Sequence, residues 1–288
     1  CTMQLARRGY HVTLAEADNK LGGRVLFESG LKGLSAWKRV SDNRIYEIQQ
    51  KNNIEIYKES ELTLSHINEL GINNIFLATG SSWRKDGVGR SRRKPVQGLE
   101  SLQVLTPEEA IKQSPNLRGP IVVYDDEQGY LAGVIADHLS FDEHEVIFIT
   151  PASVVSPWTE STLEQKRIQK ALLVSGVNVI CNKTIDKAEG SNLNLKCVFT
   201  GEISLLKCSS LVMVTERIPN TTLYDQLVEQ ENNTEQGEAK HIQLIGDAES
   251  PGLIADAVFL GHLAAQSFEE PEQEIQKAMF MREMPSLK

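Results

Sequence analysis

Two stretches far apart in the chain carry residue types suited to holding a nucleotide. His11-Val-Thr-Leu-Ala-Glu16 reads as a strand ending in an acid, and Leu21-Gly-Gly-Arg24 follows it as a glycine turn. A carboxylate at a strand's carboxyl end can accept hydrogen bonds from both ribose hydroxyls of an adenosine. Glu16 alone reads better as a surface acid; the turn that follows reverses that. Gly22 and Gly23 permit backbone angles and a close approach that a β-carbon would block, and Arg24 is suited to a phosphate. The second stretch, Ile242-Gln-Leu-Ile-Gly246-Asp247-Ala248, reads as a strand delivering an aspartate to the mouth of a helix that opens near Leu253. Asp247 suits a ribose or ribityl hydroxyl, and the helix opening directs free N–H groups and its positive dipole end at the same ligand. The two stretches describe two sides of one dinucleotide pocket, with most of the chain inserted between them.

A third fragment, Ala78-Thr79-Gly80, ends a buried strand. Its small residues would let the chain pass beneath adenine or pyrophosphate, and a plain strand-ending turn explains them equally well. The candidate cofactor-binding residues are therefore Glu16, Gly22, Gly23, Arg24, Thr79, Gly80, Gly246, Asp247, Ala248 and Leu253. No nucleophile or general-base constellation stands out, so no catalytic residue is assigned. The six histidines are scattered without metal-ligand spacing and read as structural. Cys1, Cys181, Cys197 and Cys208 show no Cys-x-x-Cys pair, so no metal is expected and the thiols suit a reducing, cytoplasmic setting.

Alternating strand and helix patterns position these fragments. Cys1–Arg8 reads as a helix stopped by Gly9 and followed at once by the strand ending at Glu16. That is the second half of a strand-helix-strand unit, whose first strand and Gly-x-Gly-x-x-Gly turn would precede residue 1. The expectation is a portion of a longer protein, with the N-terminal strand missing. Residues 36–50 read as helix, 53–57 and 74–78 as strands, and 81–120 as a linker with short turns. A second unit follows, with strands at 120–124, 145–149 and 178–181. Its helices are at 130–139 and 161–174, the latter with Ser161 as N-cap and Glu164 as its capping-box partner. Residues 192–207 read as strands joined at Gly201, and 210–215 leads out of the insert. Residues 222–230 read as helix, 231–240 as loop, and the tail after Pro271 as loosely ordered. The pattern predicts α/β architecture, a second α/β unit inserted in the first. The first domain takes 1–117 and 218–288, and the insert takes 118–217.

Bulk properties narrow the partners. A chain of 288 residues with net charge -9 is poorly suited to nonspecific nucleic-acid or anionic-membrane binding. No apolar run approaches the ~20 residues of a bilayer span. Arg90-Ser-Arg-Arg-Lys94 is a local basic exception and reads as a solvated loop.

The insert departs from its own pattern. After Ile121-Val-Val-Tyr124, where a nicotinamide-binding unit needs Gly-x-Gly-x-x-Gly, the sequence runs Asp125-Asp-Glu-Gln-Gly-Tyr-Leu-Ala-Gly133. Three acids stand where backbone amides should cradle a pyrophosphate, and like charges repel. Tight NAD(P)H binding is not expected, although Gly129 and Gly133 remain.

These residues resemble the C-terminal part of the trimethylamine and dimethylamine dehydrogenase group, within the NADH:flavin oxidoreductase (old yellow enzyme-like, dienoyl-CoA reductase-like) family. The resemblance is carried by Gly9–Glu16, Leu21–Arg24, Ala78–Trp83 with Asp86-Gly87, Leu105–Glu108, Val212–Thr215, and Leu244–Pro251 with Leu253–Ala257 and Gly261-His262. It implies a Rossmann-like two-dinucleotide-domain flavoprotein fold. It also implies a barrel with FMN and a 4Fe–4S centre in an N-terminal part outside this chain. The present part would bind FAD in the reductases or ADP in the amine dehydrogenases, through Glu16, Gly23, Arg24 and Asp247. The acidic turn resembles the amine dehydrogenase side, where electrons pass to an electron-transfer flavoprotein acceptor; a homo-oligomer is expected at full length. The alternatives are an FAD-binding module of an NAD(P)H-dependent flavin oxidoreductase, and a non-catalytic ADP-binding docking scaffold.

Overall fold

A computed structural model describes residues 1–117, 119–233 and 240–270. It divides into two compact units, Cys1–Val25 with Arg39–Ser81 and Pro219–Lys288, and Leu26–Lys38 with Ser82–Ile218. Of the loop read at 231–240, residues 231 and 232 close the Thr222–Asn232 helix and 234–239 lie outside the described residues, as does the tail after Pro271.

The second unit is built on a parallel sheet of five strands. Their order is Gln103–Leu105, Ser210–Val214, Ile121–Asp125, Val146–Ile149, Asn178–Ile180. Successive side chains of a strand point to opposite faces, so a sheet covered on both sides needs continuous apolar runs. Ile121-Val-Val-Tyr is such a run. Ile121 and Val123 enter one core with Leu131, Ile135, Ile168 and Leu172, from the helices Leu131–Phe141 and Gln165–Val174. Val122 and Tyr124 face Ile185, Leu193 and Leu195, from an antiparallel sheet of Lys183–Glu189, Asn192–Cys197 and Ile203–Lys207. Each fully buried Leu, Ile or Val contributes about 1.5–3 kcal/mol relative to exposure. Three layers result, with the sheet in the middle.

The first unit holds two parallel strand pairs. Val12–Ala15 pairs with Ile54–Tyr57, and Asn74–Leu77 pairs with His241–Leu244. Among the described residues the two pairs form separate sheets. The helices Thr2–Arg7 and Ile254–Ser267 pack together, and Gly261 makes the close approach possible: a β-carbon there would stand 3.1 Å from the Cys1 nitrogen.

Several local readings need correction. The 161–174 helix begins at Gln165, and Ser161 donates to the Trp158 carbonyl instead of capping. Leu163, at φ +61°, breaks the turn between them. The 81–120 segment contains a strand at Gln103–Leu105 and a helix at Pro107–Gln113. That helix is capped reciprocally by Thr106 and Glu109. Ser210–Val214 does not merely leave the insert; it lies inside the sheet beside Ile121–Asp125. No helix among the described residues is long and apolar enough to cross a membrane.

Candidate functional site

In the first unit, Phe268 packs against Tyr10 and His241, with ring centroids 5.3 and 5.1 Å apart. Tyr10 leads into the Val12–Ala15 strand and His241 opens the His241–Leu244 strand. Both strands therefore start at one aromatic cluster, and their carboxyl ends carry Glu16 and Gly246-Asp247. In open α/β sheets ligands bind outside that end.

The segments beyond the two strands meet directly. Arg24 Nη1 lies 3.2 Å from Asp247 Oδ2, and Nη2 donates to the Gly252 carbonyl at 2.9 Å. Asp247 Oδ1 in turn accepts the Gly252 N–H at 3.1 Å. The pair is largely withdrawn from solvent, at 18% and 12% side-chain exposure. Gly22 and Gly23 precede Arg24 at φ +129° and +49°, and Gly246 precedes Asp247 at φ +63°. Left-handed backbone of this kind favours glycine, which has no β-carbon penalty.

Glu16 sits half-buried at its strand end. Its Oε1 accepts the Asp18 N–H at 3.1 Å, and its backbone is tied to Tyr57 and Ser60. Thr79 and Gly80 are zipped to Asn220: the Thr79 hydroxyl donates to the Asn220 carbonyl at 2.6 Å, and the Asn220 N–H groups return to Thr79 and Gly80. Ala248 is fully buried, so neither its methyl group nor its backbone presents surface to a ligand here. Leu253 precedes the Ile254–Ser267 helix, and its N–H is taken by Asp256 Oδ2 at 2.7 Å. That amide is therefore not free to point at a ligand as expected, because a carboxylate three residues on caps it.

Sequence reasoning passed over Gly252 and Asn220. Gly252 works through its carbonyl and amide and Asn220 largely so, which leaves no side-chain signature of a site.

These residues fit an adenosine diphosphate group. The Glu16 carboxylate is of a type that accepts ribose hydroxyls, and Arg24 and Asp247 bring opposite charges to the loops beyond the strands. At Gly23 and Gly80 a β-carbon would meet nothing within 4 Å, so the backbone is open to close approach.

The second unit's turn after Ile121–Asp125 is closed by its own chain. Asp125 Oδ1 accepts the Gln128 N–H at 2.7 Å, while its Oδ2 is buried with no partner. Burial pushes the Asp125 carboxyl well above the ordinary carboxylate range, against the pull of the Gln128 N–H. Asp126 accepts the Ser91 N–H at 3.0 and 3.3 Å, and burial raises its carboxyl too. Burial, reinforced by Asp126, drives the neighbouring Tyr124 hydroxyl up to about 12. Arg90 Nε donates to the Glu127 carbonyl at 3.1 Å and its guanidinium lies over Trp158, 5.0 Å from the ring centroid. Arg92 Nη1 donates to the Ile185 carbonyl at 3.0 Å. The basic stretch is the exposed loop expected, half-buried only at Arg92, and Arg90 and Ser91 tie it as a strap to the acidic turn through hydrogen bonds and stacking.

Comparison with known proteins places the chain in a family. The family described as pyridine nucleotide-disulphide oxidoreductase matches residues 1–259. Dimethylamine dehydrogenase of Hyphomicrobium sp. (strain x) is 27% identical over 302 aligned residues, which cover 96% of this chain and 41% of that protein. The structure of histamine dehydrogenase from Rhizobium sp. 4-9 superposes with a TM-score of 0.90 at 38% identity, over 94% of this chain and 42% of that one. The 6-hydroxypseudooxynicotine amine oxidase of Pseudomonas geniculata N1 gives 0.86 at 30% identity, over 93% and 40%. The chain spans about two-fifths of the length of these relatives.

Proposed function

The chain belongs to the pyridine nucleotide-disulphide oxidoreductase family, as the nucleotide-binding module of an amine dehydrogenase-like flavoprotein oxidoreductase, and from that premise we propose how the whole protein works. The full-length enzyme oxidises a small amine, N-methylated or similar. FMN and a 4Fe–4S centre would be carried by a part of the protein outside these residues. This chain binds ADP or FAD at the carboxyl ends of the first unit's strands, through Glu16, Gly23, Arg24 and Asp247. Electrons then leave to a protein acceptor of the electron-transfer flavoprotein kind.

One observation carries the choice of acceptor over NAD(P)H. The turn that would cradle a nicotinamide dinucleotide's pyrophosphate holds Asp125, Asp126 and Glu127, and the amides of Gln128 and Ser91 already serve the first two. A pyrophosphate would have to displace anchored carboxyl groups, each of which repels it once ionised.

The test is a visible spectrum of the full-length protein with quantified cofactors. One flavin with iron–sulfur absorbance supports the dehydrogenase reading with ADP in this module. Two flavins would move the assignment to the reductase type, and ADP alone without flavin would leave a docking scaffold.

A further inference from the structure

We propose that the Gly89–Arg92 strap is a proton-controlled latch over the second unit's acidic turn, shut while the turn's buried carboxyl groups are neutral and lifted when they ionise. This device belongs to the second unit alone, and it stands whether or not the first unit holds a nucleotide.

Asp125 and Asp126 are both fully buried, and among the described residues no basic side chain pairs with either. Arg90, on the strap, attracts both carboxylates without pairing with them; its Nε goes to the Glu127 carbonyl and its guanidinium lies over Trp158. Arg92 is turned away, to the Lys94, Pro95 and Ile185 carbonyls. On the turn itself Glu127 adds a third acid, which Arg217 approaches at 3.5 Å. Tyr124, on the strand below, reaches Thr184 at 3.0 Å, and its hydroxyl, driven up to about 12, stays neutral. Ionisation of Asp125 and Asp126 therefore buries two like charges in adjacent positions with no paired cation.

The sign follows from burial. Burial raises both carboxyls against the pull of their N–H donors and of Arg90. A lifted strap returns Asp126 to water, so the shut form holds its proton more tightly than the lifted one. Low pH shuts the strap and rising pH lifts it. The contact itself survives protonation, because a neutral carboxyl still offers its carbonyl oxygen to the Ser91 N–H.

The strap is the wall that gives. On the sheet side, the Asp126 and Glu127 N–H groups both donate to the Val214 carbonyl. On the other side, Arg90 and Ser91 are exposed, and they hold the turn through the Ser91 N–H, the Arg90 Nε and a 3.5 Å contact from the Ser91 hydroxyl to Tyr124. Segments held by a few exposed hydrogen bonds open before a core does. Arg92 pins the far end, so the lift is confined to the residues before it. Lifting restores no dinucleotide site, since the pH that lifts the strap also charges the acids that repel a pyrophosphate.

Hydrogen–deuterium exchange of the full-length protein, read by mass spectrometry from about pH 5 to about pH 9 and corrected for intrinsic exchange, tests the latch. Protection of peptides covering 88–92 should fall about tenfold or more as pH rises, while peptides covering Val146–Ile149 keep theirs. Asp126→Asn keeps an oxygen for the Ser91 N–H and removes the ionisation. The fall should shrink in Asp126→Asn and vanish in Asp125→Asn/Asp126→Asn. Strap protection that is flat with pH in the wild type would overturn the proposal. An undiminished fall in the variants would too, as would a loss shared equally by Val146–Ile149, which would mean that the whole unit loosens. Should the double variant fail to fold, Asp126→Asn and the wild-type profile decide alone.

Discussion

Asp126 Oδ2 accepts the Ser91 backbone N–H at 3.0 Å, which ties the Gly89–Arg92 strap to the turn where the second unit would hold a pyrophosphate. Gly89 crosses so closely that a β-carbon there would stand 2.5 Å from the same Asp126 oxygen and 3.2 Å from Thr215 Cβ. A site filled by its own chain has a direct consequence for hydride donors. NADH and NADPH titrated anaerobically into the full-length protein should leave flavin absorbance unchanged up to ~1 mM, the upper end of ordinary KM values. Rapid bleaching at micromolar NADH would show that the strap opens and that the reductase reading holds.

Gly89→Ala tests the strap's fit. The new methyl group forces Asp126 away from Ser91 or the strap away from Thr215, and such overpacking typically costs about 1–3 kcal/mol. Thermal unfolding should show a lowered Tm, while calorimetric ADP affinity stays at the wild-type value because Gly89 lies in the other unit.

Asp125 gives the structure a pH dependence. Its carboxyl is raised in the folded state by burial, from an ordinary value of 3.8. The folded protein therefore binds this proton more tightly than the unfolded chain does. Stability is greatest below the unfolded value and falls as pH rises from there to the folded value, then levels off. Asp125→Asn keeps the oxygen that accepts the Gln128 N–H and removes the ionisation. Its Tm should lose that downward slope and exceed the wild type's at pH 8, by about 2–4 °C for each kcal/mol recovered. Equal Tm–pH profiles for the two proteins would mean that Asp125 titrates normally.

Glu16 tests the adenosine end of the proposed site. Glu16→Gln keeps an oxygen for the Asp18 N–H but removes the charge, and hydrogen bonds to charged groups are worth about 1.5–3 kcal/mol. ADP affinity should fall roughly tenfold or more with stability within about 0.5 kcal/mol of wild type. Unchanged affinity would return Glu16 to the status of a surface acid.

Much of this layout was legible in the residues because apolar strands announce themselves. Ile121-Val-Val-Tyr and Ser210–Val214 are buried on both faces, and such runs have few alternatives. The neighbours of Ser210–Val214 in the sheet were not legible, since strand order is a tertiary outcome. Glu16, Arg24 and Asp247 were singled out by type and position, but that Arg24 and Asp247 would pair was not legible, because the pair joins segments from opposite ends of the sequence. Gly252 and Asn220 left little trace because much of what they contribute is backbone. Ser161 misled for a local reason: the capping pattern was present, and Leu163 in the left-handed region broke the helix behind it. Thr106-Pro-Glu-Glu109 carried a legible capping box that the surrounding Gly, Arg and Pro content obscured.

The most direct test of the nucleotide site is acid release of bound nucleotide from purified full-length protein, followed by chromatography. The wild type should yield stoichiometric ADP or FAD, and the variant Glu16→Ala/Asp247→Ala should yield little of either. Stoichiometric nucleotide in the double variant, or none in the wild type, would contradict a nucleotide held at the ends of these strands.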